Sequence, residues 1–246
     1  TLDYKGKKIR LIGVYHVNHE QRKSPKTNQL LQLWIKKEIQ NFYATSTTSK
    51  KKIYLEIQQH DQKKFNKPIN EDDGGEMGYA SNEAIKPEHN MKVIALEPPM
   101  KMLQKKLIKF INKHIIPTLT ITEPQHNILA AQARNFDIPT DETMIAQLLR
   151  KGYLKSAMGD NQLAHTINQT LFSPQAKNHP YFWPEYSCEQ AHIPITIFNT
   201  ISTKSQQLRD QHMLQTFEKS DQDICLAIIG SDHLRSLENE IKNNLS

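Results

Sequence analysis

The sequence predicts an α/β fold: a mainly parallel central sheet flanked by helices, with a helical insertion in the second half. Three observations predict it. Short, nearly continuous apolar runs recur four times, which is the pattern of strands covered on both faces. Segments of helical period stand between the early runs, and a strand-helix-strand order implies right-handed crossovers and parallel neighbours. Past Pro98-Pro99 the helical character takes over, and no strand-like run returns before residue 223.

In chain order, KKIRLIGV (7–14) climbs from lysines into an apolar strand. Residues 26–45 place Leu30, Leu31, Leu33, Trp34, Ile35 and Ile39 at helical spacing. KKIYLEI (51–57) is the second strand. In DDGGEMGYASNEA, the pair Gly74-Gly75 leads a loop into a helix that ends near Pro87, with Glu76, Ala80 and Glu83 along one face. MKVIALE (91–97) is the third strand. Helices are expected over 100–116, 124–134, 140–151 and 160–172, with Pro117, Pro139 and Pro174 as breaks. Residues 173–195, rich in proline and aromatics, are expected to form an ordered loop or lid. A long helix at about 196–219 leads into the fourth strand, DICLAIIG (223–230). The expectation is one domain, 1–246, in which 100–195 is the helical insertion and lid-like loop; a chain of this length buries a sizeable core.

Composition excludes several classes. The net charge is +6, but the basic runs Lys50-Lys51-Lys52 and Lys105-Lys106 are short, scattered and not interleaved with aromatics. With no helix-turn-helix, zinc-finger or RNP pattern, a nucleic-acid partner is not expected. No window is long and apolar enough to span a bilayer, and no signal-peptide core is present. A soluble chain is expected. Because the sequence starts at Thr1, a trimmed leader or anchor stays open, and so does a cytoplasmic or exported location. Two cysteines cannot build a disulfide framework. Cys225, within ICLAIIG, is expected to be an inert core thiol; Cys188 falls in a loop-like stretch, and no thiolate zinc site is implied.

The chemistry concentrates at strand ends. Gly13 closes one apolar run with His16 three residues later, and Gly230 and His233 repeat the arrangement. In an open α/β sheet, ligands bind beyond the carboxyl ends of the strands. Glycine there permits a sharp turn, and an imidazole can ligate a metal or exchange a proton. Helix-capping histidines are the plainer alternative. Glu56, in IYLEIQQH, sits where an unpaired carboxylate would be costly to bury, so it should face a cation, a metal or a substrate. A pleat position facing solvent or an arginine is its alternative role. Glu76 is a candidate beside the simpler option of complementing a helix dipole. Met213, one turn on from Arg209, turns that helix face inward, so Arg209 is expected to clamp an anion or hold Glu56 or Glu76; a surface pair with Asp210 is the alternative. His19, in HVNH, adds only a weak extra pair with His16. There is no Gly-x-Ser-x-Gly elbow, no P-loop and no His-Glu-x-x-His.

Together these segments resemble the TraB/PrgY–Tiki family, whose superfamily includes ChaN-like haem-binding proteins and erythromycin esterase. IRLIGVYHV is similar to its first Gly-x-x-His strand and IYLEI to its strand ending in glutamate. GGEMGYASNEA followed by KVIALEPPM is similar to its glutamate-bearing helix and next strand. LRDQHM resembles its Arg-Asp-x-x-Met motif, and LAIIGSDHL its closing Gly-x-x-His. The likeness spans roughly the first 100 residues and the last 45. At Leu96-Glu97-Pro98-Pro99 the family pattern would have Gly-Asp-Arg-Pro, and residues 101–195 align with no motif.

The resemblance implies a metal-dependent, peptidase-like hydrolase using a divalent ion such as Mn, Co or Zn; imidazole and carboxylate ligands also suit iron. His16, Glu56 and His233 would be the metal residues, and Glu56, Glu76 and Arg209 the catalytic ones. The partner would be a peptide or a small-molecule substrate, with the oligomeric state open. Two other roles compete. One is a non-catalytic ligand- or peptide-binding regulator, of the pheromone-shutdown or haem-binding type, with Tyr15, Met77, Tyr79 and Met91 as candidate haem-lining residues. The other is a host- or partner-interacting protein working through 173–195.

Overall fold

The computed structural model describes residues 1–14, 25–45, 51–157 and 197–243, together with Leu163, Thr166, Ile167, Thr170 and Leu171. These residues fall into two compact units: Thr1–Met100 with Arg209–Ser246, and Lys101–Leu208. The first unit holds the sheet. Its strands are β1 (Leu2–Tyr4), β2 (Lys7–Val14), β3 (Lys52–Leu55), β4 (Lys92–Ala95) and β5 (Ile224–Gly230). They lie in the order β1-β2-β5-β3-β4. The last strand in sequence is thus the middle strand in space. β2, β5, β3 and β4 run parallel, with Val14 opposite Gly230, Leu55 opposite Ile228 and Leu55 opposite Ala95.

The apolar alternation along each strand sorts side chains to two faces. On one, Ile12, Ile53, Val93 and Ile228 pack against α1 (Pro25–Thr45) and α3 (Glu71–Ala84) through Ile35, Ile39, Phe42 and Ala80. On the other, Ile9, Tyr54, Ala227 and Ile229 pack against the C-terminal part of α7 (Ile197–Glu218) and against α8 (Ser231–Asn243). Covering both faces is what the continuous apolar strands require. The open edge of β4 is satisfied locally, beside the short α2 (Gln62–Phe65). The Asn66 amide bonds both the N–H and C=O of Val93 at 2.9 Å, and Gln62 accepts from the Ala95 N–H at 2.9 Å.

The four strands and the mainly parallel sheet expected from the sequence are present. Two elements were not foreseen. β1 forms a hairpin with β2 across Lys5-Gly6, both at positive φ (47° and 77°), the backbone of a primed two-residue turn. α8 begins immediately after β5. In α3, Gly75 is non-helical (φ 53°), so the uninterrupted turns start at Glu76.

The second unit is helical: α4 (Met100–Phe110), α5 (Glu123–Asn135), α6 (Met144–Ala157) and the first part of α7. Leu107, Ile111, Leu129, Leu148 and Ile201 are among its core residues. α4 does not run to 116. It gives way to a π turn at Ile111–Ile115 and a tight turn at Ile116–Thr118, where Pro117 cannot continue a helix. α5 is opened by a Thr122–Gln125 capping box. α6 starts later than the expected 140 because Asp141 bonds the Thr143 N–H (2.9 Å) and hydroxyl (2.6 Å) in a local turn. Of 160–172, the described residues are helical; 173–195 and Cys188 lie outside the described residues. No described helix is long and apolar enough to cross a membrane.

Candidate functional site

Three strand ends and two helices of the first unit build one polar cluster. Glu56 directly follows β3, and its amide still donates to the Ile228 carbonyl at 3.1 Å. Pleat alternation therefore puts its side chain on the Tyr54 face, beneath α7. Glu97 lies two residues past β4, held beside β3 by Leu96 N–H to Leu55 O (2.9 Å) and Glu97 N–H to Ile57 O (3.2 Å). Arg209 stands one turn before the buried Met213 on α7, and Asp210 follows it. His233 is the third residue of α8.

The start of α8 is placed by close packing. A Cβ at Gly13 would meet Leu234 Cδ2 at 3.0 Å and Ser231 Cα at 3.4 Å, so the glycine lets the helix sit against β2. The Gly230 N–H donates to Glu56 Oε2, which sets a carboxylate at the positive end of α8.

Arg209 joins the two glutamates. Its Nε lies 3.0 and 2.9 Å from the Glu97 oxygens, and its Nη2 lies 2.5 Å from Glu97 Oε1 and 2.6 Å from Glu56 Oε1. His233 Nε2 lies 3.3 Å from the same Glu56 oxygen, while Nδ1 meets Asp210 Oδ1 at 2.5 Å. The second Asp210 oxygen accepts from the Ser236 hydroxyl at 2.6 Å. Asp210 and His233 are buried, and a quarter of the Arg209 side chain is exposed. Burial alone would lower the His233 pKa, but its hydrogen bonds to Asp210 and Glu56 prevail and raise it to about 9. The described cluster brings together three carboxylates, a guanidinium and an imidazole that holds its proton at neutral pH.

Comparisons with protein families, with curated proteins and with solved structures give no match. The site's own geometry has to carry its chemistry. Glu56, Glu97 and His233 each offer one ligand atom, and these atoms all lie within 4.8 Å of one another. One imidazole nitrogen and two carboxylate oxygens form a donor set that suits Mn, Fe, Co or Zn. His233 also has the carboxylate on its remote nitrogen that metal-bound histidines commonly carry.

Of the residues singled out in the sequence, Glu56, Arg209 and His233 come together here. His16 and His19 lie outside the described residues. Glu76 is buried at the start of the regular part of α3, and the 4.8 Å trio has Glu97 where the sequence pointed to other ligands. Asp210 is buried rather than at the surface and binds His233, while Arg209 binds Glu56 and Glu97. His233 falls inside the first turn of α8. Met77 and Met91 pack in the core beside α1 and α3, and Tyr15 lies outside the described residues. Cys225 is a fully buried thiol whose pKa is raised by that burial.

Glu97 and Asp210 are the site residues that sequence reasoning missed. Glu97 carried the same signal as Glu56, a carboxylate closing an apolar strand. Asp210 stood in the Arg-Asp-x-x-Met likeness of LRDQHM but was given no role there, because an aspartate beside an arginine on a helix is ordinary surface composition.

Proposed function

We propose that this chain is a divalent-metal-dependent hydrolase of the TraB/PrgY–Tiki type, acting on peptide-like bonds, with Glu56, Glu97 and His233 holding the ion. The single observation that carries it is the approach of three donor atoms within 4.8 Å, contributed by the ends of three parallel strands. That is where open α/β sheets place their ligands. When bound, the ion supplies a polarised carbonyl and a water of lowered pKa.

The chain's own groups have separate tasks in this proposal. Asp210 holds the Nδ1 proton of His233, which turns Nε2 toward Glu56. The Gly230 N–H fixes one Glu56 oxygen. Arg209, partly exposed, orients a substrate carbonyl or carboxylate. His16 enters as a further ligand on the family resemblance: it follows by two residues Val14, which pairs with Gly230. Glu76 keeps, on the same ground, the role of acid or base.

The test is metal analysis of the purified chain after loading with Mn²⁺, Co²⁺ or Zn²⁺, then peptide-library cleavage by wild type, Glu56→Gln and His233→Ala. Stoichiometric metal and cleavage lost in both variants are expected. A wild type that neither binds metal nor cleaves removes the hydrolase. A second reading, a non-catalytic binder of peptides or small anions, is favoured by one observation: Arg209 already pairs with both Glu56 and Glu97, through Oε1 of each. Peptide binding without turnover or metal would establish it.

A further inference from the structure

We propose that Asp210 and Ser236 are a positioning pair that decides which nitrogen of His233 is presented to a divalent cation. The inference rests on the metal reading of Glu56, Glu97 and His233. His233 and Ser236 are three residues apart on α8 and so share a face. Asp210 reaches that face from α7 and engages both, Oδ1 at 2.5 Å from His233 Nδ1 and Oδ2 at 2.6 Å from the Ser236 hydroxyl.

Bracing the two helices does not require these groups. Met213, Leu214 and Phe217 of α7 already share a core with Leu237 and Ile241 of α8. A fully buried carboxylate is a costly brace, since apolar groups of similar volume generally do the same work with less desolvation. What an aspartate does that leucine cannot is accept the Nδ1 proton. When a cation displaces the Nε2 proton, this leaves the remaining proton on Nδ1 and the lone pair on Nε2, on the side of Glu56, and makes Nε2 a stronger donor. Ser236 holds the second oxygen, so the carboxylate cannot rotate away from the ring.

The experiment is Co²⁺ titration of the full chain, followed by calorimetry and by visible absorption, for wild type, Asp210→Ala, Asp210→Asn, Ser236→Ala and His233→Ala. Wild type should bind and His233→Ala should not. Asp210→Ala should bind about 10- to 100-fold more weakly. Asp210→Asn should recover part of that loss, because its carbonyl still accepts from Nδ1. Ser236→Ala should fall several-fold, and the Co²⁺ band should move in both Asp210 variants. If Asp210→Ala does not fold, Asp210→Asn and Ser236→Ala decide. Variants that bind within twofold of wild type with an unmoved band, while His233→Ala loses the ion, overturn the positioning pair and leave the metal reading standing. No binding by wild type overturns both.

Discussion

Arg209 holds Glu97 side-on: Nε spans both carboxylate oxygens at 3.0 and 2.9 Å, and Nη2 meets Oε1 at 2.5 Å before reaching on to Glu56 at 2.6 Å. One guanidinium on α7 thereby fixes the ends of two neighbouring strands. The fork geometry of arginine makes this possible; a single ammonium offers no such planar pair of donors.

Removing that cation should leave two largely buried carboxylates facing each other. Arg209→Ala should cost about 3 kcal/mol, the low end for a broken buried pair because a quarter of the side chain is exposed. Arg209→Lys should recover only part of it. Adding Glu97→Gln to Arg209→Ala should restore stability relative to the single variant. Urea denaturation with chelator present measures all three, and an Arg209→Ala protein as stable as wild type would sink the claim.

His233 should make the metal-free protein sensitive to alkali. Its pKa is raised from 6.5 to about 9: burial opposes the proton, but the bonds to Asp210 and Glu56 outweigh it. The folded chain therefore keeps a proton that the unfolded chain releases. The stabilisation is complete below about pH 6.5 and is lost as pH climbs through about 9, a change on the order of 3 kcal/mol. Urea midpoints in chelator should fall between about pH 6 and pH 9.5 in wild type and stay nearly level in His233→Gln. A wild-type profile as level as the variant's would discard the assignment.

The parallel sheet was legible because its strands are buried on both faces, so KKIRLIGV and DICLAIIG announce themselves by composition alone. β1 was not, since three residues and a Lys5-Gly6 turn leave no periodic signal. α8 was hidden for a different reason. With five charged residues among thirteen it is strongly amphipathic, but it starts without a linker at the residue after Gly230, and no element was assigned beyond that strand. In the site, Glu56 was legible from the cost of burying a carboxylate in an apolar run. Glu97 bears the same mark, but comparison with a family pattern turned it into a departure. The partners of Asp210 come from residues 23 and 26 positions away, a distance no local pattern spans.

A methyl group at Gly13 should press on Leu234 of α8. A Cβ would lie 3.0 Å from Leu234 Cδ2, which must give way by a few tenths of an ångström, while Ser231 Cα at 3.4 Å is in ordinary contact. Gly13→Ala should cost about 1–2 kcal/mol through overpacking. Leu234→Ala in the same chain should relieve that contact, so the double variant should lose less than the two single changes summed. Thermal melting tests this. A Gly13→Ala chain that melts with wild type would show that α8 can move away from β2 at little cost.

The sharpest division between the sequence's ligand set and the geometry's is Glu97 against Glu76. Glu97 offers an oxygen within 4.8 Å of ligand atoms on Glu56 and His233, whereas Glu76 is buried at the start of the regular part of α3 and is not in that trio. Gln keeps the shape of either side chain but removes the charge a divalent ion needs. Glu97→Gln should weaken Mn²⁺ or Co²⁺ binding by at least about 100-fold, since it takes away a direct ligand rather than an outer partner of the kind whose loss costs 10- to 100-fold. Glu76→Gln should stay within a few-fold in affinity, whatever it does to turnover. The reverse pattern would give Glu76 a place at the ion and leave Glu97 as the anchor of Arg209 alone.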